Sequence, residues 1–120
     1  MRQITLGRTG LSVCETGFGA LPIQRISRED AAGLLRYARA QGVNFFDTAR
    51  GYTDSEEKLG YAFAGAREGI FLATKSMARS RSAALAELDT SLSLLGTDHV
   101  DLWQLHCLPE LPDPNDPESA

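Results

Sequence analysis

The chain has 120 residues, 42% hydrophobic and 23% charged, a size and balance that fit one compact globular domain and not two. It holds no apolar run of about 18 residues, and its first residues, Met1 to Thr5, lack the apolar core of a secretory signal, so neither a membrane span nor export is expected. The net charge of −4 belongs to the last twelve residues (Glu110, Asp113, Asp116, Glu118 and no base), while residues 1–108 carry twelve acids and twelve bases and show no basic stripe for nucleic acid.

In chain order, residues 2–7 and 11–15 read as a small hairpin turned by Gly7-Arg8-Thr9-Gly10. Thr16 to Ala20 is a short glycine-rich core strand. Its Gly17-x-Gly19 does not extend to a dinucleotide phosphate loop, because Pro22 stands at the third glycine's place and the next helix starts only near Ser27. Ser27-Arg-Glu-Asp30 has the pattern of a capping box, with aspartate for the usual glutamate. Ala31, Leu34, Leu35 and Ala38 then make one apolar helix face, and Gly42 takes the C′ position. Val43 to Phe46 is the next strand and ends at Asp47. Asp54-Ser-Glu-Glu57 is expected to cap a second helix that runs to about Ala64. Ile70 to Thr74 is a buried strand ending at Lys75. Ser80 or Ser82 caps a third helix with Leu85, Leu88, Leu92 and Leu95 on one face, closed by Gly96. Val100 to Leu105, with Trp103 as core, is a fourth strand that ends at His106.

Strand, helix, strand, helix, strand, helix, strand is repeated βα crossover architecture around a parallel sheet. After Cys107 come four of the chain's five prolines, in a loop over 109–120. Asp116 as an N-cap acid, Pro117 at N1 and Glu118 in the first turn announce a fourth helix, which predicts that these residues are the front half of a longer protein. Cys14 and Cys107 lie far apart and predict free thiols in a reducing, cytoplasmic setting; Cys107 with His106 gives too few ligands for zinc.

Asp47, Lys75 and His106 each stand at the carboxyl end of a predicted strand, with Tyr52 in the loop after one. Such ends face one side of a parallel sheet or barrel. Taken singly, each has an ordinary reading: Asp47 a loop cap, Tyr52 a packing residue, Lys75 a solvated cation, His106 a structural histidine. Arg50 between them contacts an anion or is solvated. Together they suit proton donation to a carbonyl oxygen. An ammonium beside a phenol stabilises the phenolate, a carboxylate keeps the ammonium charged, and an imidazole donates a hydrogen bond to the substrate. No side chain supplies hydride, so a nicotinamide cofactor is implied.

These segments resemble the aldo-keto reductase family. The resemblance is carried by Leu-Gly-Arg-Thr-Gly-Leu-x-Val (6–13), Gly-Phe-Gly (17–19), Asn-Phe-Phe-Asp-Thr-Ala-x-Gly-Tyr (44–52), Ser-Glu-Glu-Lys-Leu-Gly (55–60), Ala-Thr-Lys (73–75) and Leu-Gly-Thr-Asp-x-Val-Asp-Leu-x-Gln-Leu-His (95–106). It implies a (β/α)8 TIM-type barrel with an N-terminal hairpin plugging its bottom, of which this chain holds the hairpin and about four βα units. It implies NADPH-dependent reduction of aldehydes and ketones, with Tyr52 as general acid, Lys75 as the residue that lowers the tyrosine pKa, Asp47 as its carboxylate partner and His106 orienting the carbonyl. Cofactor contacts are implied at Gly19, Ala20, Leu21 and Asp47, although Ala20 and Leu21 replace the threonine and aromatic residue many members have. Four of eight strands leave most of the cofactor site outside the chain, so the isolated piece is expected to be inactive, or else to be a half-barrel module that dimerises or binds a partner.

Overall fold

A computed structural model describes residues 1–120. A hairpin of β1 (Gln3–Thr5) and β2 (Ser12–Cys14) precedes a parallel sheet of β3 (Phe18–Gly19), β4 (Phe45–Asp47), β5 (Phe71–Ser76) and β6 (Leu102–Leu105). Helices α1 (Arg28–Ala40), α2 (Ser55–Ala62) and α3 (Arg81–Leu95) form the crossovers. The strands lie in the sheet in their chain order. An open doubly wound sheet would reverse that order at a switch point, so sequential winding marks a barrel type, here a half-barrel.

Alternation along the strands separates two faces. Phe46, Leu72 and Thr74 are buried, and Phe46 and Leu72 join Ala31, Ala32 and Leu35 of α1, Leu59 and Ala62 of α2 and Leu95 of α3 in one core. The opposite face carries Phe45, Asp47, Phe71, Lys75, Leu102 and Gln104, which stay half-buried. Asn44, just before β4, accepts from the Cys14 backbone at 2.7 Å and donates to the Ser12 carbonyl at 3.1 Å, which fixes the hairpin at the amino end of the sheet.

Several local features differ from the sequence reading. Ser27 caps α1 by accepting from the Asp30 backbone at 3.0 Å, but the Asp30 carboxylate takes the Ser27 hydroxyl instead of closing the box. Asp54 makes no cap bond to α2; its carboxylate pairs with Lys58 one turn on. An unpredicted 3-10 helix, Leu21–Arg25, follows β3. In α3, Ala84, Ser91 and Leu95 are buried while Leu85 is 48% exposed, so the buried stripe is offset from the expected leucine face. Trp103, expected in the core, is 37% exposed because β6 is an edge strand with no neighbour beyond it. At the end of the chain the predicted helix start is a single turn. Asp116 accepts from the Glu118 backbone at 2.9 Å, but no helix follows, and Ser119 bridges back to Ser80. No helix is long and apolar enough to cross a membrane.

Candidate active site

Parallel register carries the predicted residues to one place. Gly19 pairs with Asp47, Asp47 with Ala73, Ala73 with Leu102, and Lys75 with Gln104. Paired residues of parallel strands share a face, so Asp47, Lys75 and Gln104 project together beside the carboxyl ends of their strands.

Lys75 is the centre of the group. Its ammonium donates to Asp47 Oδ2 at 2.5 Å and to the Thr48 carbonyl at 2.8 Å, and lies 5.3 Å from the centre of the Tyr52 ring. The lysine side chain is 16% exposed and the Asp47 side chain 33%, so the pair is shielded on one side and open on the other. Asp47 is held from both ends, because its backbone carbonyl accepts from Ala20 at 2.8 Å and its Oδ1 accepts from Gln104 at 3.2 Å. Charge-assisted bonds of this kind fix an ammonium far better than a single contact does.

Tyr52 sits in the β4–α2 loop. Its backbone donates to the Ala49 carbonyl at 3.0 Å, and its own carbonyl accepts from Ser55 at 2.8 Å. The Tyr52 and His106 rings meet edge to face, 5.5 Å apart at 83°. His106 Nδ1 is enclosed without a partner, so Nε2 is the ring atom left to meet a ligand. The only two non-glycine residues in left-handed backbone, Thr53 at φ 42° and Cys107 at φ 52°, directly follow Tyr52 and His106. Arg79 grips the carbonyls of His106 and Cys107, while Glu87 of α3 accepts from Ser76 Oγ at 2.6 Å and from the Met77 backbone at 3.0 Å. Both clamp the segments that leave β5 and β6.

The expected cofactor contacts divide. Gly19 is exposed, lies beside Asp47 in register, and has no heavy atom within 4 Å of where a Cβ would stand, so a flat ring can approach its backbone. Leu21 is 50% exposed. Ala20 is fully buried, its backbone N–H is spent on Asp47 and its carbonyl on Ser55 Oγ at 3.0 Å, so it shapes the turn and offers a ligand nothing polar. Two participants escaped the sequence reading. Gln104 could have been found two residues before His106, on the same strand face. The Thr48 carbonyl carried no such signal. Arg50, left open between anion contact and solvation, pairs with the buried Glu56.

A carboxylate, ammonium, phenol and imidazole thus gather at the carboxyl ends of a sequentially wound parallel sheet, the side on which βα-barrels carry their sites. The sequence profile of the Aldo/keto reductase family matches residues 15–117, and the chain belongs to that family. L-galactose dehydrogenase of Arabidopsis thaliana is 37% identical over 117 residues, covering 85% of this chain and 36% of that protein. The 6-dehydroglucose reductase of Novosphingobium aromaticivorans is 33% identical over 121 residues, covering 84% of this chain and 40% of that protein. Among solved structures, a holo-form aldo-keto reductase from Bacillus halodurans superposes with a TM-score of 0.82 at 31% identity, over 88% of this chain and 40% of its own. One from Klebsiella pneumoniae in complex with NADPH gives 0.78 at 28% identity, over 86% and 38%. The chain thus spans less than half the length of the relatives it matches.

Proposed function

We propose that Asp47, Tyr52, Lys75 and His106 are the catalytic group of an NADPH-dependent reductase that converts aldehydes and ketones to alcohols. The observation that carries this reading is the Lys75 ammonium, pinned by Asp47 at 2.5 Å and 5.3 Å from the Tyr52 ring. The Tyr52 hydroxyl donates its proton to the carbonyl oxygen, and Lys75 stabilises the phenolate left behind. His106 Nε2 hydrogen-bonds the same oxygen and orients it. Gly19, Leu21 and Asp47 are the residues of this chain that would meet the nicotinamide. When bound, that group supplies the hydride. Preference for the phosphorylated cofactor is supported by the Klebsiella pneumoniae relative. The two free cysteines accord with a cytoplasmic setting.

Four strands do not close a barrel, and the 120 residues alone are expected to turn over slowly or not at all. Turnover is therefore measured by NADPH oxidation with a panel of aldehydes in the protein as expressed from its own gene. Tyr52→Phe should lower kcat by about 10²- to 10⁴-fold, the usual worth of a general acid. Undiminished reduction by that variant would remove Tyr52 from the role.

A second reading rests on the two unpaired edges, β3 and β6, and on exposed Trp103 and Leu85 beside the latter. In it the half-barrel is a non-catalytic module that self-associates or binds a partner through those edges.

A further inference from the structure

The group around Lys75 leaves one buried carboxylate unused. Glu56, in the first turn of α2, is 1% exposed. A carboxylate survives such burial only when paired and hydrogen-bonded. Its Oε1 accepts from Thr74 Oγ1 at 2.6 Å, and its Oε2 pairs with Arg50. Thr74 is itself fully buried and immediately precedes Lys75. Arg50 stands two residues before Tyr52, its backbone N–H donates to the Lys75 carbonyl at 2.9 Å, and its guanidinium reaches the Thr53 carbonyl at 3.4 Å. One carboxylate therefore grips β5 next to Lys75 and, through Arg50, the loop on both sides of Tyr52.

Stability alone does not explain this arrangement. Buried ion pairs seldom outperform well-packed apolar side chains of similar volume, and the layer between helices and sheet is otherwise mostly apolar. What Glu56 supplies that an apolar residue would not is a fixed distance between two backbones. We propose that Glu56 is a positioning residue that sets the separation of Tyr52 from Lys75; the inference rests on the site reading given above. Glu56 touches neither substrate nor cofactor, and acts through Thr74 and Arg50.

The test labels the three tyrosines, Tyr37, Tyr52 and Tyr61, with carbon-13 at Cζ in the 120-residue protein and follows each signal at neutral pH. Tyr52 is assigned by its loss in Tyr52→Phe. Lys75→Met removes the ammonium and should displace the Tyr52 signal. Glu56→Gln should displace it in the same direction by a smaller amount, leaving Tyr37 and Tyr61 in place. Arg67→Met controls for a merely structural effect: it breaks an ion pair with Asp101, away from Tyr52, and should lower the melting temperature without moving the Tyr52 signal. A folded Glu56→Gln with an unmoved Tyr52 signal, beside a Lys75→Met that moves it, overturns the positioning role. A Lys75→Met that leaves the signal in place overturns the pairing of Tyr52 with Lys75, and the proposal with it. Should Glu56→Gln not fold, Thr74→Val, which exchanges the hydroxyl for a methyl of similar size, decides by the same comparison.

Discussion

Lys58 sets its ammonium against the carbonyl oxygens of Ile23 at 3.0 Å, Gln24 at 3.5 Å and Ile26 at 2.8 Å, and against the Asp54 carboxylate at 2.8 Å. It thereby ties the start of α2 to the 3-10 turn behind Gly19. The two partners are unequal, since the lysine side chain is 6% exposed and the Asp54 side chain 48%. The Lys58 hydrogen bond holds the Asp54 carboxyl below its ordinary 3.8. A carboxylate depressed by folding adds stability above its unfolded value and loses it as pH falls through the folded one. Asp54→Asn should flatten that acid limb and cost less than about 1 kcal/mol, because the carboxylate is largely in water. Lys58→Met leaves the carbonyls of buried Ile23, of Gln24 and of exposed Ile26 without their donor, and should cost about 1–3 kcal/mol. Urea denaturation between neutral pH and pH 3.5 separates the two; equal losses would refute the unequal roles. At this scale the sequence made the site legible where side-chain type and strand end coincided, at Asp47, Lys75 and His106. It assigned no role to Glu56 or Lys58, because Glu56 also bonds Thr74 eighteen residues on and Lys58 also bonds carbonyls more than thirty residues back. A surface helix and a buried one can begin with the same charged residues.

Among the elements, α2 and α3 come so close that a Cβ on Gly60 would stand 2.3 Å from the Leu94 carbonyl oxygen and 2.9 Å from the Leu95 carbonyl carbon. Backbone cannot yield there as a flexible side chain does, so Gly60→Ala should cost about 3 kcal/mol or more by forcing the helices apart. Gly33 in α1 has nothing within 4 Å of its Cβ position. Gly33→Ala should instead stabilise by about 0.5–1 kcal/mol, through helix propensity and a less free unfolded chain. Opposite shifts in the urea midpoint are expected; a neutral Gly60→Ala would mean the helix crossing is loose. Strand order and helix type were legible from periodicity and caps, as at Ser27 and Gly96, and at Ser80, which the structure chooses over Ser82. The stripe of α3 was not. Apolar residues occupy Ala83, Ala84, Leu85, Ala86, Leu88, Leu92, Leu94 and Leu95, nearly all round the helix, so periodicity cannot choose a face. Small residues decide it instead, and Ala84 and Ser91 are buried where Leu85 is not.

The whole molecule is looser than its length predicts. A compact chain of this size has a radius of gyration near ~13.6 Å by the usual scaling, against 14.8 Å here. Its accessible surface should be near ~6,300 Å² for this mass, against 7060 Å². The excess, on the order of 700 Å², is close to what one partner contributes to a standard protein interface. Its location follows from the topology. β3 and β6 are unpaired edges, and Phe45, Phe71 and Leu102 on the inner face are only half-buried. Open edges with apolar side chains beside them recruit further strands. The 120-residue protein is thus expected to sediment above its 13.0 kDa monomer mass as concentration rises. Trp103→Lys should move the distribution back toward the monomer, because a cation at the exposed β6 edge opposes strand addition. A sharp 13.0 kDa boundary at every concentration would show that the inner face is stable in water, and would weigh against the self-associating reading of the half-barrel.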